Sequence, residues 1–278
     1  MKDISIRGNV KNFYQNKIAV VTGAGSGIGR SIALLLGQLG SKVHCVDMNL
    51  ASAQKVTTDI GNAIAHQVDV TDAEAMLALA DKIYDNDGRV DLLFNNAGIA
   101  HGGNFLECEL SDWRRLLDVN VMGVVHGVHV FLPRMKAQNK AAHIINTASG
   151  AGLTPSAGLG PYCASKHAVV GLTQVLAAEM RGSNIGVTVL CPGIVNTPIL
   201  DNAQLRGKML ERKHKTKAFY EKHAATPDQI AQAVLSDVSK DKLFSLTPRI
   251  EVGISWWLQR ISPRLMQFVS RLLLKQVQ

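Results

Sequence analysis

The chain has 278 residues and a formal net charge of +8 at pH 7, a length that suits one large α/β domain as well as two small ones. No apolar run reaches the roughly 18 residues of a membrane span, and residues 1–15 lack the apolar core of a secretion signal. The four cysteines are scattered and show neither metal-ligand nor disulfide-framework spacing. We therefore expect no metal site, and reduced cysteines in a cytoplasmic protein.

The positive charge is concentrated in the C-terminal part of the chain. Residues 201–278 contain 14 of the 30 Lys and Arg residues but only 7 of the 22 Asp and Glu residues. Nucleic acid is one partner that basic residues suggest, but neither zinc-finger spacing nor an aromatic and basic RNA motif accompanies them. An anionic substrate or an anionic membrane surface fits better, and we expect no nucleic-acid partner.

The first predicted strand, at 17–22, leads directly into a glycine-rich loop at 23–29. A helix is predicted next, at 30–39, and it ends at Gly40. Glycines let the backbone approach a pyrophosphate, and the N-terminus of the helix faces the phosphates. The order of strand, loop and helix predicts a dinucleotide site, whereas the loop alone would also fit a tight turn.

The second predicted strand, at 42–46, is followed by Asp47. An acidic residue here, about 20 residues after the glycines, accepts hydrogen bonds from ribose hydroxyls. It would also repel a 2′-phosphate, and no Lys or Arg lies at 24–26 to offset that repulsion. We therefore predict NAD rather than NADP as cofactor; the alternative is that Asp47 only caps a helix.

The rest of the chain alternates between helices and strands. Helices are predicted at 51–60, 72–85, 113–136, 161–181 and 227–237. Strands are predicted at 63–68, 90–94, 142–147 and 185–190, with a seventh within 242–254. This alternation predicts a single α/β domain, a doubly wound parallel sheet of about seven strands with helices on both faces. Ligands bind such sheets beyond the strand C-termini, where Gly23, Asp47, Asp69 and Asn96 lie.

The long helix predicted at 113–136 carries Asn120 on an otherwise apolar face. Ser111 or Asp112 is its expected N-cap. A buried asparagine within a helix needs hydrogen-bonding partners. Asn120 is therefore either a structural contact or a member of the site.

Tyr162 and Lys166 are four residues apart on the helix predicted at 161–181, so they lie on one face. A neighbouring ammonium favours the phenolate and lowers a phenol pKa that is ordinarily ~10. Such a pair can move a proton on or off an alcohol oxygen. Ser149 follows the strand at 142–147 and can lie beside the phenol. The pair alone would also fit a solvated helix surface.

From about residue 17 to residue 197 the chain resembles a single-domain short-chain dehydrogenase/reductase. The matching stretches, in the family's order and spacing, are Thr22-Gly23…Gly27-Ile28-Gly29, Asp69-Val70, Asn95-Asn96-Ala97-Gly98, Asn120, Ser149, Tyr162…Lys166 and Pro192-Gly193. The resemblance implies a Rossmann-like fold and the interconversion of an alcohol and a ketone. It also implies a homodimer or homotetramer, formed through the helices that carry Asn120 and Tyr162.

The resemblance further implies roles for individual residues. Tyr162 is the catalytic acid/base, Ser149 holds the substrate oxygen, and Asn120 maintains a proton relay through water. Lys166 binds the nicotinamide ribose and lowers the pKa of Tyr162. Cofactor contacts are implied for Gly23, Ser26, Gly27, Ile28 and Gly29 around the phosphates, Asp47 at the adenosine ribose, Asp69 and Val70 at adenine, Asn96, Ala97 and Gly98 along the cofactor, and Pro192, Gly193, Val195 and Thr197 towards the carboxamide.

Two C-terminal segments carry further predictions, and the one after residue 250 departs from the shortest members of that family. Residues 194–225 predict a mobile substrate lid, with seven Lys or Arg against two Asp or Glu between 204 and 222. After residue 254, the predicted end of the dehydrogenase domain, apolar and basic residues alternate at roughly helical spacing. The extension at 255–278 therefore predicts an amphipathic segment that binds a membrane interface, or one that packs on its own subunit or a neighbour. Pro263 interrupts it.

These features predict an NAD-dependent oxidoreductase that interconverts a secondary alcohol and a ketone. The apolar extension and the basic lid favour a bulky hydrophobic substrate, such as a steroid-, retinoid- or lipid-like molecule. One alternative is an NADP-dependent ketone or 3-oxoacyl-thioester reductase, which Asp47 disfavours. Another is a non-catalytic dinucleotide sensor or scaffold, which should have lost part of the Asn-Ser-Tyr-Lys set.

Overall fold

The computed structural model describes residues 8–266 and 268. Seven parallel strands form the main sheet: β1 (Ile18–Thr22), β2 (Lys42–Asp47), β3 (Ala63–Gln67), β4 (Leu92–Asn95), β6 (Ala142–Thr147), β7 (Ile185–Pro192) and β9 (Phe244–Thr247). Their order across the sheet is β3-β2-β1-β4-β6-β7-β9. A second sheet pairs two short strands, β5 (His101–Gly102) and β8 (Gln204–Leu205). The predicted doubly wound parallel sheet is confirmed.

Helices cover both faces of the main sheet. They are α1 (Gly8–Tyr14), α2 (Gly27–Gln38), α3 (Leu50–Ile60), α4 (Ala73–Asp87), α5 (Leu110–Leu117), α6 (Gly123–Ala137), α7 (Gly160–Glu179), α8 (Gly207–Glu211), α9 (Lys213–His223), α10 (Pro227–Val238) and α11 (Arg249–Ile261). Successive residues of β1 point to opposite faces. Val21 belongs to one buried cluster with Ile32 of α2 and Val234 of α10, whereas Val20 belongs to a second with Phe131 of α6. The central strands β1 and β4 are almost entirely apolar because both of their faces are buried.

The helix predicted at 113–136 begins earlier, at Leu110, and its N-cap is Glu109 rather than Ser111 or Asp112. Asp112 instead accepts a hydrogen bond from the backbone N–H of Glu109, at 2.8 Å. A side chain three residues inside a helix that bonds back to the N-cap is half of a capping box. The acidic residue was therefore recognised as a helix-start signal but placed at the wrong position.

Between α5 and α6 the helix contains a π-helical turn, Asp118–Met122. Single π-helical turns concentrate at functional sites because they displace one side chain from the regular helical face. By length and composition alone, Leu110–Ala137 could also cross a membrane. Leu116, Asn120 and Phe131 are buried inside the domain, and core helices of folded domains meet the same criterion.

The C-terminal third contains more helix than the sequence predicts. The predicted lid includes α8 and α9, and α11 begins within the region expected to hold the last strand. That strand ends at Thr247 because the next residue, Pro248, lacks a backbone N–H for the ladder. At the start of α11, the Arg249 guanidinium donates a hydrogen bond to Asp237 at 2.8 Å. The predicted domain boundary at 254 falls inside α11. Residues 267 and 269–278 of the predicted extension lie outside the described residues.

A buried pair of histidines lies at the β2–β3 edge of the sheet. His44 Nδ1 lies 2.9 Å from His66 Nε2, and His44 Nε2 lies 2.9 Å from Asp87 Oδ2. Burial lowers the pKa of both rings, that of His66 to about 4, although Asp87 opposes the shift. The neighbouring cations Lys42 and Lys82 add to it. The pair is therefore neutral at physiological pH.

We expect the folded protein to lose stability as the pH falls through the window below His66's unfolded pKa of ~6.5 towards about 4. The unfolded state binds more protons there, so its free energy falls relative to the folded state by about 1.4 kcal/mol per unit of pKa difference. Urea unfolding at about pH 7 and about pH 5 measures this loss. His66→Gln should lose less than the native protein, and His129→Gln, at an exposed position, should lose as much. Equal losses in all three would assign the pH dependence to other groups.

Candidate active site

A cleft of about 2260 Å³ runs over the carboxyl ends of the parallel strands. Seventeen of the nineteen residues predicted for the site line it: Gly23, Ser26, Gly27, Ile28, Asp47, Asp69, Val70, Asn96, Ala97, Gly98, Ser149, Tyr162, Lys166, Pro192, Gly193, Val195 and Thr197. Gly29 and Asn120 lie behind this lining. The sheet order reverses between β1 and β4, which is the position where ligands bind in doubly wound sheets.

The loop between β1 and α2 brings bare backbone to the cleft. Gly23 and Gly27 have φ angles of +65° and +52°, a region that side chains disfavour. A Cβ atom on Gly29 would lie 2.2 Å from the carbonyl oxygen of Gly23, so this glycine allows the helix to start directly against the loop. The side chain of Ser26, the N-cap of α2, makes no capping hydrogen bond. The helix N-terminus and the glycine backbone together fit a pyrophosphate.

Asp47 lies at the end of β2, beside this loop. Its Oδ2 accepts a hydrogen bond from the N–H of Gly25 at 2.8 Å, and its Oδ1 accepts one from the N–H of Asn49 at 2.9 Å. Within the described chain, the Lys and Arg residues that line the cleft come from α5, α7 and α9. β2 and the loop that follows it contribute none. The carboxylate is therefore held in place by backbone N–H groups on both of its oxygens.

Thr22 connects the ends of β1 and β4. The sequence identified it only as the first residue of the glycine motif and predicted no role for it. Its Oγ1 accepts hydrogen bonds from the backbone N–H groups of Asn96 and Ala97, at 2.9 and 3.0 Å. The amide of Asn96 donates to the Thr22 carbonyl at 3.0 Å. Asn96 thus fixes the shape of the crevice through main-chain contacts. The position of a threonine at the end of the first strand is the sequence feature that could have indicated this role.

Asp69 and Val70 line the cleft in the loop after β3, the strand that pairs with β2 and so lies beside Asp47. Asp69 Oδ1 accepts hydrogen bonds from the N–H and the hydroxyl of Thr71, both at 2.9 Å. The side chain of Val70 packs against Gly123, where a Cβ atom would lie 2.7 Å away. The loop after β3 is therefore rigidly held against the helix that contains the π-helical turn.

Asn120, in that π-helical turn, is completely buried. Its Oδ1 accepts a hydrogen bond from the N–H of Ile99 at 2.9 Å, and its amide donates to the Ile99 carbonyl and to Ser165 Oγ, each at 3.0 Å. Gly98 allows this close approach, because a Cβ at its position would lie only 3.1 Å from Asn120 Oδ1. Asn120 therefore holds the loop after β4 against α7, the helix that carries Tyr162.

Lys166 is buried on α7, and its Nζ donates a 2.9 Å hydrogen bond to the carbonyl of Thr147. The ammonium lies 5.9 Å from the centre of the Tyr162 ring. Burial lowers the pKa of Lys166 to about 8. Lysine and tyrosine thus lie on one face of the helix, as their spacing predicts.

The predicted lowering of the Tyr162 pKa is wrong for the protein alone. Burial raises that pKa to about 12, and the nearby Ser149 hydroxyl, which lowers the pKa, only partly opposes the rise. The phenol of Tyr220 and the thiol of Cys163 raise it further. The phenol therefore keeps its proton at neutral pH. Spacing alone could not reveal this, because the shift depends on how deeply the ring is covered.

Tyr220, on α9, is a cleft residue that the sequence analysis missed. Met209, Lys213, Thr216 and Tyr220 all line the cleft, and they follow one another at intervals of three and four residues. This is the spacing of one helical face. The signal was present, but it was hidden by the strongly basic composition of the lid.

Arg206 attaches the start of the lid to α5. Its guanidinium donates two hydrogen bonds to Asp112, at 2.8 and 3.0 Å, and one to Glu109, at 2.8 Å. Asp112 Oδ2 also lies 3.2 Å from Nε2 of the buried His101. Burial alone would raise the pKa of Asp112, but the contacts with Arg206 outweigh it and hold the pKa below its ordinary value. The lid base is thereby fixed beside the helix that leads to Asn120.

Comparisons with known proteins agree with this geometry. The family model described as short chain dehydrogenase matches residues 17–206. A crystal structure of a short chain dehydrogenase/reductase from Burkholderia phymatum in complex with NAD is similar, with a TM-score of 0.85, 34% identity, and coverage of 91% of this chain and 95% of that one.

Two relatives have names that state an activity. Cyclohexanol dehydrogenase of Acinetobacter sp. is 36% identical, over 84% of this chain and 92% of its own. The mouse 15-hydroxyprostaglandin dehydrogenase [NAD(+)] is 33% identical, over 90% of this chain and 96% of its own. The probable oxidoreductases EphD of Mycobacterium bovis and Mycobacterium tuberculosis are 31% identical over 95% of this chain. The chain spans about half, 46%, of the length of these relatives.

Proposed function

The chain belongs to the short-chain dehydrogenase family, and we propose that it interconverts secondary alcohols and ketones with NAD. One observation carries the proposal: Ser149, Tyr162 and Lys166 line the same cleft as the glycine-rich loop and Asp47. A proton-transfer group therefore faces the space that a nicotinamide cofactor would occupy. A sensor or scaffold without catalysis would not need the full set of Asn120, Ser149, Tyr162 and Lys166. The chain retains all four.

When bound, NAD supplies the hydride acceptor for the carbinol carbon. The protein's own part is to hold the alcohol oxygen and to move its proton. Ser149 and Tyr162 line the same cleft, and the Ser149 hydroxyl is near enough to the phenol to lower its pKa. An alcohol oxygen between them would meet a hydroxyl that orients it and a phenol that exchanges its proton. In the direction of reduction, the protonated phenol is the acid.

Lys166, in the lining of the cleft, and Asn120, behind that lining, support that step. The Lys166 ammonium, fixed by the Thr147 carbonyl, places a positive charge where it favours a developing phenolate. Asn120 holds the loop at Ile99 and, through Ser165, the helix that carries Tyr162. We infer that Asn120 acts as a positioning residue. We also propose that the proton path continues from Lys166 through water held near Asn120.

Two kinds of observation support a hydrophobic substrate. The part of the cleft under the lid and α11 is lined by Leu159, Leu205, Met209, Val252 and Met266. The relatives named above act, by their names, on cyclohexanol and on a hydroxylated prostaglandin. A steroid-, retinoid- or lipid-like secondary alcohol is therefore the preferred substrate class.

We expect purified protein to reduce NAD in the presence of lipophilic secondary alcohols, with kcat/KM falling by about tenfold or more for short, polar alcohols that leave the apolar lining unfilled. Absorbance of the reduced cofactor measures the rate across a panel of alcohols. The same panel measured with NADP distinguishes an NAD-dependent dehydrogenase from an NADP-dependent reductase. Turnover of small polar alcohols with none of lipophilic ones would contradict the substrate class.

We also propose a homodimer or homotetramer in a reducing, cytoplasmic setting. Leu117, Met122, Val125 and Val175 are exposed on α5, the π-helical turn, α6 and α7, which supports association through the helices that carry Asn120 and Tyr162. The four cysteines are free thiols, as expected where disulfides do not form. Light scattering of the purified protein tests the oligomeric state.

A further inference from the structure

The outward side of α11 carries a row of large apolar side chains, called the α11 stripe below. Ile250, Ile254, Trp257 and Ile261 follow one another at intervals of three and four residues and are exposed by 74, 55, 66 and 73%. This spacing puts them on one side of the helix. An uninterrupted apolar row in contact with water marks a surface that binds something.

The other sides of α11 are already occupied. Val252 is buried in the domain, and Trp256 packs on Phe244 with ring centres 4.7 Å apart. Glu251 and Ser255 line the active-site cleft. The α11 stripe is thus what remains after the helix has made its contacts within the domain. Beyond the end of α11, Leu265 and Phe268 are also exposed, by 46 and 59%.

Cations accompany the apolar surface. Arg260 lies beside the stripe with its guanidinium 5.3 Å from the centre of the Trp256 ring, and Arg264 follows four residues later, beyond the end of α11. Exposed lysines on α8 and α9, including Lys208, Lys215 and Lys222, add further charge. Residues 201–278 carry 14 basic and 7 acidic residues, a net charge of +7.

The same helices frame the substrate end of the cleft. α9 contributes Thr216 and Tyr220 to its lining, and α11 contributes Glu251, Val252 and Ser255. Each helix therefore has one side on the cleft and another in solvent. A surface that bound the outward sides would lie next to the cleft's substrate end.

We propose that the α11 stripe and its neighbouring cations dock on a bilayer containing anionic phospholipid, and that lipophilic substrate enters the cleft from that bilayer. Anionic head groups complement the cations, and the layer beneath them accepts the isoleucines and Trp257. Tryptophan is characteristic of this interface. A second copy of the chain fits less well, since a symmetric contact would bring two sets of like charges together.

Sedimentation of the full chain with vesicles tests the docking. We expect binding to vesicles of phosphatidylcholine mixed with phosphatidylglycerol, and about tenfold weaker binding to phosphatidylcholine alone or at high salt. The double variant Ile254→Ser/Trp257→Ser should bind about tenfold more weakly or worse. Leu77→Ser, which removes an exposed apolar residue from α4, should bind like the native protein.

Three results would overturn the docking proposal. The first is native protein that does not sediment with the mixed vesicles. The second is undiminished binding by the double variant. The third is a dimer, measured by light scattering without lipid, that the double variant dissociates and Leu77→Ser does not. That result would assign the α11 stripe to a second copy.

Substrate entry from the bilayer rests on the proposed function, whereas docking does not. With an alcohol dissolved in vesicles, the double variant should show an apparent KM raised by about tenfold, and with a water-soluble alcohol its KM should be unchanged. If the native protein and the double variant had equal KM values for the vesicle-dissolved alcohol, substrate entry from the bilayer would be refuted. Docking without turnover of any alcohol would refute the proposed function alone, and turnover without docking would refute this inference alone.

Discussion

Replacement of Tyr162 by Phe should lower kcat for alcohol oxidation by about 10²- to 10⁴-fold, the range that general acid/base catalysis contributes. The phenyl ring keeps the shape and the place of the native ring over Lys166. Only the hydroxyl that exchanges the substrate proton, close to Ser149, is removed. NAD affinity, measured by calorimetric titration, should change little, because the glycine loop and Asp47 are untouched.

A matched variant makes this prediction specific. Tyr84→Phe removes the same hydroxyl from a tyrosine outside the cleft, where it donates to Gln138 at 3.2 Å. It should cost at most about 1 kcal/mol of stability and leave kcat unchanged. Full turnover in Tyr162→Phe would mean that the proton leaves by another route. Equal losses in both variants would point to a general effect on folding.

The pH dependence of the native enzyme gives a second check on Tyr162. Burial raises its pKa to about 12 in the protein alone, so the phenol is protonated near neutrality. Proton acceptance from an alcohol requires the phenolate, so alcohol oxidation should accelerate as the pH rises, and ketone reduction should not. Tyr162→Phe should abolish that difference between the two directions.

The sheet and most of the cleft could be predicted because their signals are local. An apolar strand followed by glycine and then a helix, as at β1 and α2, depends on neighbouring residues alone. The parallel topology then brings strand ends together, which is why Asp47 and Ser149, 102 residues apart in the chain, line one cleft. Asn120 could be singled out because a polar residue interrupts an apolar face.

Features that depend on distant contacts could not be predicted. The raised pKa of Tyr162 depends on its burial and on the nearby phenol of Tyr220 in the lid. In the lid, apolar residues are interleaved with many basic ones, and its attachment depends on Arg206 meeting Asp112 across 94 positions of sequence. The π-helical turn around Asn120 adds no recognisable pattern to the sequence. In each case the decisive partner lies far away along the chain.

Asp47→Asn should shift the preference for NAD over NADP by about 10²-fold in kcat/KM, the sum of a weaker hold on the ribose and a relieved repulsion of the 2′-phosphate. The native carboxylate accepts two backbone N–H groups, from Gly25 and Asn49. The amide can accept only one of them through its oxygen. Addition of Met48→Arg, at a residue 70% exposed on the same side of the cleft, should increase NADP use further by pairing with the phosphate.

Asp69→Asn is the control that separates charge discrimination from general damage. Asp69 also lines the cleft, but it is proposed to face adenine, which NAD and NADP share. This variant should weaken both cofactors together and leave their ratio unchanged. If Asp47→Asn also left the ratio unchanged while lowering both rates, Asp47 would act only through Gly25 and Asn49, as a residue that shapes the loop. The two-fold hydrogen bonding of its carboxylate makes that the strongest competing explanation, and the cofactor ratio distinguishes the two.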